Sequence, residues 1–91
     1  MITLLVTHEA DAHRAGGWFV VSCPERGPLV PYGDGAVRRS DRRSALRAAR
    51  VALLERLTEQ VRRGQPLIFE RVWVVDMTAN APESVGAQGI A

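Results

Sequence analysis

The chain has 91 residues, a formal net charge of +2 and a hydrophobic fraction of 46%. This length supports one hydrophobic core, so we expect a single domain over residues 1–78 and a flexible tail over residues 79–91. The composition is that of a globular protein and argues against global disorder. No segment approaches the roughly 20 apolar residues of a membrane-spanning helix.

All twelve basic residues are arginines. Codon usage in a GC-rich genome explains such a bias, but arginine also offers a planar fork that suits carboxylates and phosphates. Cys23 is the single cysteine and indicates a reducing compartment. The first residues lack the basic segment of a signal peptide, and we expect a cytoplasmic protein.

The chain opens with two segments of high β-propensity. Residues 2–8 (ITLLVTH) are apolar on both faces, which predicts an interior strand. Residues 18–23 (WFVVSC) predict a second strand, paired antiparallel with the first. The polar residues 9–17 between them predict a long hairpin connection. Residues 29–32 (LVPY) are candidates for a short third strand at an edge, because Pro31 has no N–H to donate.

Residues 36–40 read as a basic loop, and residues 41–63 predict a long amphipathic helix. Asp41 is its expected N-cap, and Gly64 followed by Pro66 supplies its end. The expected sheet-facing stripe consists of Leu46, Ala49, Leu53, Leu57 and Val61, flanked by Ala45, Ala52 and Leu54. Residues 67–77 predict a closing strand. The order is β-β-(β)-α-β, an α+β fold with one helix packed across a small sheet that contains antiparallel pairs.

Arginines cluster where the predicted helix begins and continue along one of its edges. We assign this surface as a candidate site for a protein partner or nucleic acid, and it comprises Arg38, Arg39, Arg42, Arg43, Arg47 and Arg50. The alternative is a solvated helix flank. Cations at a helix N-terminus oppose the helix dipole, which favours the functional interpretation slightly.

Other candidate constellations favour structural roles. His8, Glu9, Asp11 and His13 are possible metal ligands, but they straddle a strand end and a loop without a cysteine pair. Cys23 has no supporting histidine and is most simply a buried hydrophobe. The strand aromatics, which would have to be exposed to stack on RNA bases, are Trp18, Phe19, Phe69 and Trp73. We expect no enzyme activity, metal or cofactor.

The pattern resembles HicB-type antitoxin domains over about residues 2–77. Residues 16–22 (GGWFVVS) fit a glycine-rich hairpin entering an aromatic strand, and Pro24-Glu25 and Gly33-Asp34 fit two turns. Residues 44–53 (SALRAARVAL) follow the helix pattern of the family, although Ser44 and Ala48 replace its usual Glu and Asn. Many relatives add a DNA-binding domain, and we expect none here, because residues 78–91 cannot supply one.

The resemblance implies a partial ribonuclease-H-like fold and a non-enzymatic module that binds and neutralises a small partner protein, typically a ribonuclease toxin. A regulator that binds nucleic acid through the six arginines is the alternative hypothesis. Under either hypothesis, the open sheet edges favour a homo-oligomer, for example through residues 67–77.

Overall fold

The structure, a computed structural model, describes residues 2–66 and 71–78. These residues form one four-stranded sheet with one long helix across it, which confirms the α+β class. In the sheet the order is β3-β2-β1-β4. The elements along the chain are β1 (Ile2–Asp11), β2 (Arg14–Ser22), β3 (Val37–Arg39), α1 (Arg42–Arg62) and β4 (Val72–Asp76).

The hairpin of β1 and β2 is antiparallel as predicted, but it is longer than the sequence suggested. The predicted loop over residues 9–17 is wrong, because β1 runs on to Asp11 and β2 begins at Arg14. The glycine pair lies inside β2, where the register shifts between the two strands. Gly17 has φ +63°, and a Cβ there would lie 2.5 Å from the carbonyl oxygen of Glu9. The glycines therefore build a bulge and do not end a loop.

The third strand is not where the sequence placed it. Residues 29–32 form bends, so that prediction is wrong, and β3 is Val37–Arg39 within the expected basic loop. The N–H groups of Leu29 and Val30 both donate to the carbonyl of Gly35, at 2.8 and 3.2 Å, instead of to a strand. Leu29 itself is buried in the core. The apolar character of Leu29 and Val30 thus reflects a loop packed on the core.

Strand β4 lies at the opposite edge of the sheet and runs parallel to β1, with Ile2 opposite Val72 and Val6 opposite Asp76. This confirms the predicted closing strand over Val72–Asp76. Residues 67–70, which were predicted to belong to the same strand, lie outside the described residues. The predicted tail over residues 79–91 does too.

Both ends of α1 follow the local signals in the sequence. Asp41 is the N-cap, and its Oδ2 accepts the N–H of Ser44 at 2.9 Å. At the other end, Gly64 has φ +77° and donates to the carbonyl of Val61, and Gln65 donates to that of Gln60. This pair of bonds is a Schellman motif, which a left-handed glycine permits.

The core lies between α1 and one face of the sheet, here called the helix face. Ala45, Ala49 and Leu53 are the buried helix residues. The predicted stripe is wrong at Val61, which is 51% exposed. Steps of four residues turn about 40° beyond a full helical circle, so a stripe with this spacing rotates away from the sheet. The buried sheet and loop residues are Ile2, Leu4, Val6, Phe19, Val21, Cys23, Leu29 and Val37.

Candidate functional site

The six candidate arginines do not form one surface. Arg38 lies on the sheet face opposite α1, here called the open face. It pairs with Val20, whose neighbours on β2, Phe19 and Val21, lie on the helix face. Its guanidinium holds both carboxylate oxygens of Asp34 at 2.8 Å and reaches Glu9 at 3.1 Å. This guanidinium is the main reason that the pKa of Asp34 lies well below its usual value. Arg38 is therefore committed to acids of its own chain.

Arg42 is also committed within the chain. Its Nε lies 2.8 Å from Oδ2 of Asp76 and donates to Oγ1 of Thr78 at 2.9 Å. The guanidinium also stands 5.2 Å from the centre of the Phe19 ring, a cation–π distance. These contacts tie the first turn of α1 to the end of β4. The cation that opposes the helix dipole is thus balanced by a nearby carboxylate.

The other four arginines are exposed and define what we call the basic helix face: Arg39, Arg43, Arg47 and Arg50. Among the described residues, Arg43, Arg47 and Arg50 make no ion pair. Arg39 donates to the carbonyl of Arg38 at 2.7 Å. Arg39 and Arg47 line one open depression together with Val51 and Glu55. This face can attract an anion, although Glu55 reduces its positive potential.

Three of the four side chains considered as metal ligands, those of His8, Glu9 and Asp11, have other partners within the chain. His8 Nε2 contacts the carbonyl of Gly16 at 2.8 Å, and Glu9 is paired with Arg38. Asp11 accepts the N–H of His13 and the indole N–H of Trp18, each at 2.8 Å. The hydrogen bond from Trp18 is the main reason that the pKa of Asp11 lies below its usual value. Within residues 2–66 and 71–78, no group of three or more such side chains is placed to hold a metal ion.

The aromatic side chains do not form a stacking platform over the described part of the sheet. Phe19 is buried in the core. Trp18 is half-buried, its ring covered by the guanidinium of Arg14 at 4.7 Å and its N–H held by Asp11. Trp73 is exposed on β4, and Phe69 lies outside the described residues. Among the described residues of this set, Trp73 is therefore the one whose ring is exposed for contact with a partner.

Strand β4 exposes apolar side chains on both of its faces. Val72 and Val74 pair with Ile2 and Leu4 and so lie on the helix face, while Trp73 and Val75 lie on the open face. All four are 40–48% exposed. The reason is geometric: α1 packs on β1, β2 and β3 and does not extend over β4. A strand that is apolar on both sides normally lies inside a sheet covered on both faces.

The backbone of β4 is also open along its outer edge. The carbonyl of Arg71 accepts from Ile2 at 3.1 Å, and the N–H of Met77 donates to Val6 at 2.9 Å. Since the direction of backbone groups alternates along a strand, the odd-numbered residues bond to β1. The N–H and C=O groups of Val72, Val74 and Asp76 therefore point outward, where no described strand pairs with them. We call this feature, over residues 72–76 with its exposed side chains, the β4 edge.

The sequence did signal this surface, but the signal is ambiguous. A run of Val-Trp-Val-Val predicts a strand buried on both sides, and only the placement of α1 shows that the described helix does not pack over this strand. Sequence reasoning assigned the site to the helix arginines instead. Over the described residues, α1 is the one helix, and it is too polar to cross a membrane.

Searches with this chain find no matching protein-family model, no matching curated protein and no matching solved structure.

Proposed function

We propose that this protein is a non-enzymatic, protein-binding regulatory module that takes up a strand from a partner at the β4 edge. The sequence resemblance to HicB-type antitoxins makes the expected partner a small protein such as a ribonuclease toxin, which the module binds and neutralises. Homo-oligomerisation through the same sheet edge belongs to this proposal.

The observation that supports the proposal is the exposure of β4 along its edge and on both faces. Proteins usually shorten, charge or cover such an edge because it invites pairing with another chain. Here the edge carries Val72, Trp73, Val74 and Val75, and its one acid, Asp76, is already neutralised by Arg42. Strand addition supplies affinity through backbone hydrogen bonds and selectivity through the alternating side chains.

Co-expression with the product of each adjacent gene tests this function. We expect one product to co-purify with the wild-type protein and to be lost with Val74→Pro, which removes an outward N–H without removing a bond to β1. The control is Val51→Ser. Val51 is an exposed apolar residue on α1, away from the sheet. Failure of every adjacent product to co-purify, or equal capture by Val74→Pro, contradicts the proposal.

The second candidate is nucleic-acid binding by the basic helix face. The observation in its favour is that Arg43, Arg47 and Arg50 make no ion pair among the described residues, so their charges are available to phosphates. Arg38 and Arg42 do not contribute to this surface, because both are engaged by acids of the chain.

Salt dependence distinguishes this second candidate. Three to four phosphate contacts predict that affinity falls by about one to two orders of magnitude between 50 and 200 mM salt. The triple change Arg43→Glu, Arg47→Glu and Arg50→Glu should abolish retention on DNA and RNA. The control is Arg62→Glu together with Arg63→Glu, because these two residues lie at the C-terminal end of α1 beside Glu59. Unchanged retention in the triple variant removes this candidate.

A further inference from the structure

The β4 edge has the features needed to pair with a second copy of itself. Resting on the proposed function, which makes this edge a strand-binding surface, we propose that β4 pairs antiparallel with β4 of a second copy, on a two-fold axis at Val74. The pairing joins two four-stranded sheets into one continuous sheet of eight strands. A protein partner must then separate the two β4 strands before it can pair with either of them.

The backbone determines the register. Val72, Val74 and Asp76 direct their N–H and C=O groups outward, so they must occupy the hydrogen-bonded positions of an antiparallel pair. With Val74 opposite Val74 of the second copy, Val72 falls opposite Asp76 and Asp76 opposite Val72. All the outward groups of both strands then find partners, and the five residues of β4 overlap completely. A shift by two residues in either direction leaves outward groups unpaired.

The side chains fit the same register. On the open face, Trp73 falls opposite Val75 of the second copy, and Val75 opposite its Trp73. Both are non-hydrogen-bonded positions, where an aromatic and a β-branched side chain approach closely and pair favourably. On the helix face, the two Val74 side chains meet at the axis. No residue of this strand faces a like charge.

Charge argues for a second copy over a nucleic acid or an anionic surface. The single charged residue of β4 is Asp76, and its Oδ2 lies 2.8 Å from Nε of Arg42. The edge therefore presents backbone groups and apolar side chains without a free charge. Its complement is a strand that is apolar on both faces with at most one compensated acid. Among the described strands, only β4 combines that character with an uncovered position.

Cysteine pairing tests the register directly. In a hydrogen-bonded antiparallel pair the Cα atoms lie about 5.5 Å apart, within the range that a disulfide spans. Val74→Cys should therefore form a covalent dimer under oxidised glutathione. Val72→Cys is the matched control, because Val72 shares the same face and a similar exposure, 46% against 40%. The two Val72 positions lie about 13 Å apart along the strands in this register.

We expect Val74→Cys to give at least about ten times more disulfide-linked dimer than Val72→Cys, since only the former pair satisfies disulfide geometry. Equal linkage of the two variants, or none, overturns the proposed register. The wild-type protein controls for the native Cys23, which is buried. Light scattering of the wild type over a concentration series should show a dimer, and Val74→Pro a monomer with an unchanged circular dichroism spectrum.

These outcomes separate the pairing from the proposed function. A wild-type monomer at all concentrations overturns the self-pairing but leaves the edge free for a partner, whose co-purification then decides the function. A dimer cross-linked through Val74→Cys that still binds a co-purifying partner places that partner elsewhere, which contradicts strand addition and leaves the self-pairing intact. Loss of partner binding on cross-linking supports both.

Discussion

At the scale of single residues, the arginines show that a shared charge does not mean a shared role. Arg42 and Arg43 are neighbours in sequence, yet Arg42 reaches Asp76 and Thr78 while Arg43 is exposed. Arg42 therefore positions the end of β4. Its contribution to any binding site is indirect, through the placement of the β4 edge.

Arg42→Ala should lower the free energy of unfolding by about 1–3 kcal/mol, because charge-assisted bonds to Asp76 and Thr78 are lost together. Arg43→Ala is the matched control and should change it by less than about 0.5 kcal/mol, as expected for an exposed surface position. Urea unfolding of the two variants measures the difference. Equal effects would show that Arg42 does not anchor β4.

Three acids that accept hydrogen bonds within the fold predict how stability depends on pH. The pKa of Asp34 is lowered mainly by Arg38, that of Glu25 by the hydroxyl of Thr3, and that of Asp41 by the N–H of Ser44. In each case the unfolded chain binds its proton at a higher pH than the folded chain. The stabilisation is therefore present at neutral pH and is lost as pH falls below about 4.

Arg38→Gln should raise the pKa of Asp34 and weaken this acid dependence. NMR titration of the side-chain carboxyl carbons measures the pKa directly. Arg39→Gln is the control, because Arg39 contacts the backbone of Arg38 and no acid among the described residues. A pKa of Asp34 that stays low in Arg38→Gln would contradict the assignment of its cause.

At the scale of elements, local signals were sufficient for α1 but not for the strands. Asp41 and Gly64 set the ends of the helix through bonds to nearby backbone groups, so the sequence alone located them. Strand β3 was missed because Val37–Arg39 is short and carries two arginines. It forms because Val37 can pair beside Val21 and enter the core, a tertiary contact that no local pattern reveals.

The glycines of the hairpin and of the helix end are not equivalent, which predicts a graded series. Gly64→Ala meets no atom within 4 Å and should cost about 1 kcal/mol from its positive φ alone. Gly17→Ala adds a clash with the Glu9 carbonyl and should cost more, about 2–3 kcal/mol. Gly16→Ala, which has neither a positive φ nor a neighbour within 4 Å, is the control. Thermal unfolding should show the largest loss of stability for Gly17→Ala, a smaller loss for Gly64→Ala and the smallest for Gly16→Ala.

At the scale of the whole molecule, the helix and the sheet are offset. Because α1 packs over β1, β2 and β3, the described sheet extends one strand beyond the helix. The sequence predicted the strand and the helix, but not which strands the helix covers, because that depends on tertiary packing. The exposure of the β4 edge results from that offset. Because the sequence does not reveal the offset, the sequence analysis assigned the site to the arginines instead of β4.

Pairing through the β4 edge predicts that stability depends on protein concentration. Dissociation accompanies unfolding in a paired protein, so each tenfold rise in concentration should raise the melting temperature by about 3 °C or more. Val74→Pro should melt at a temperature independent of concentration. Calorimetry across a hundredfold concentration range measures this, and a constant melting temperature for the wild type would argue against self-pairing.

The parallel pairing of β1 with β4 also affects how the chain is made. Strand β1 leaves the ribosome before β4. The edge of β1 that carries Ile2 and Val6 therefore stays unpaired until Val72 and Asp76 have been synthesised. Contacts so distant in sequence form slowly. During synthesis the nascent hairpin and helix therefore present the bare side of β1, and we expect this interval to be the time at which the chain most needs a chaperone.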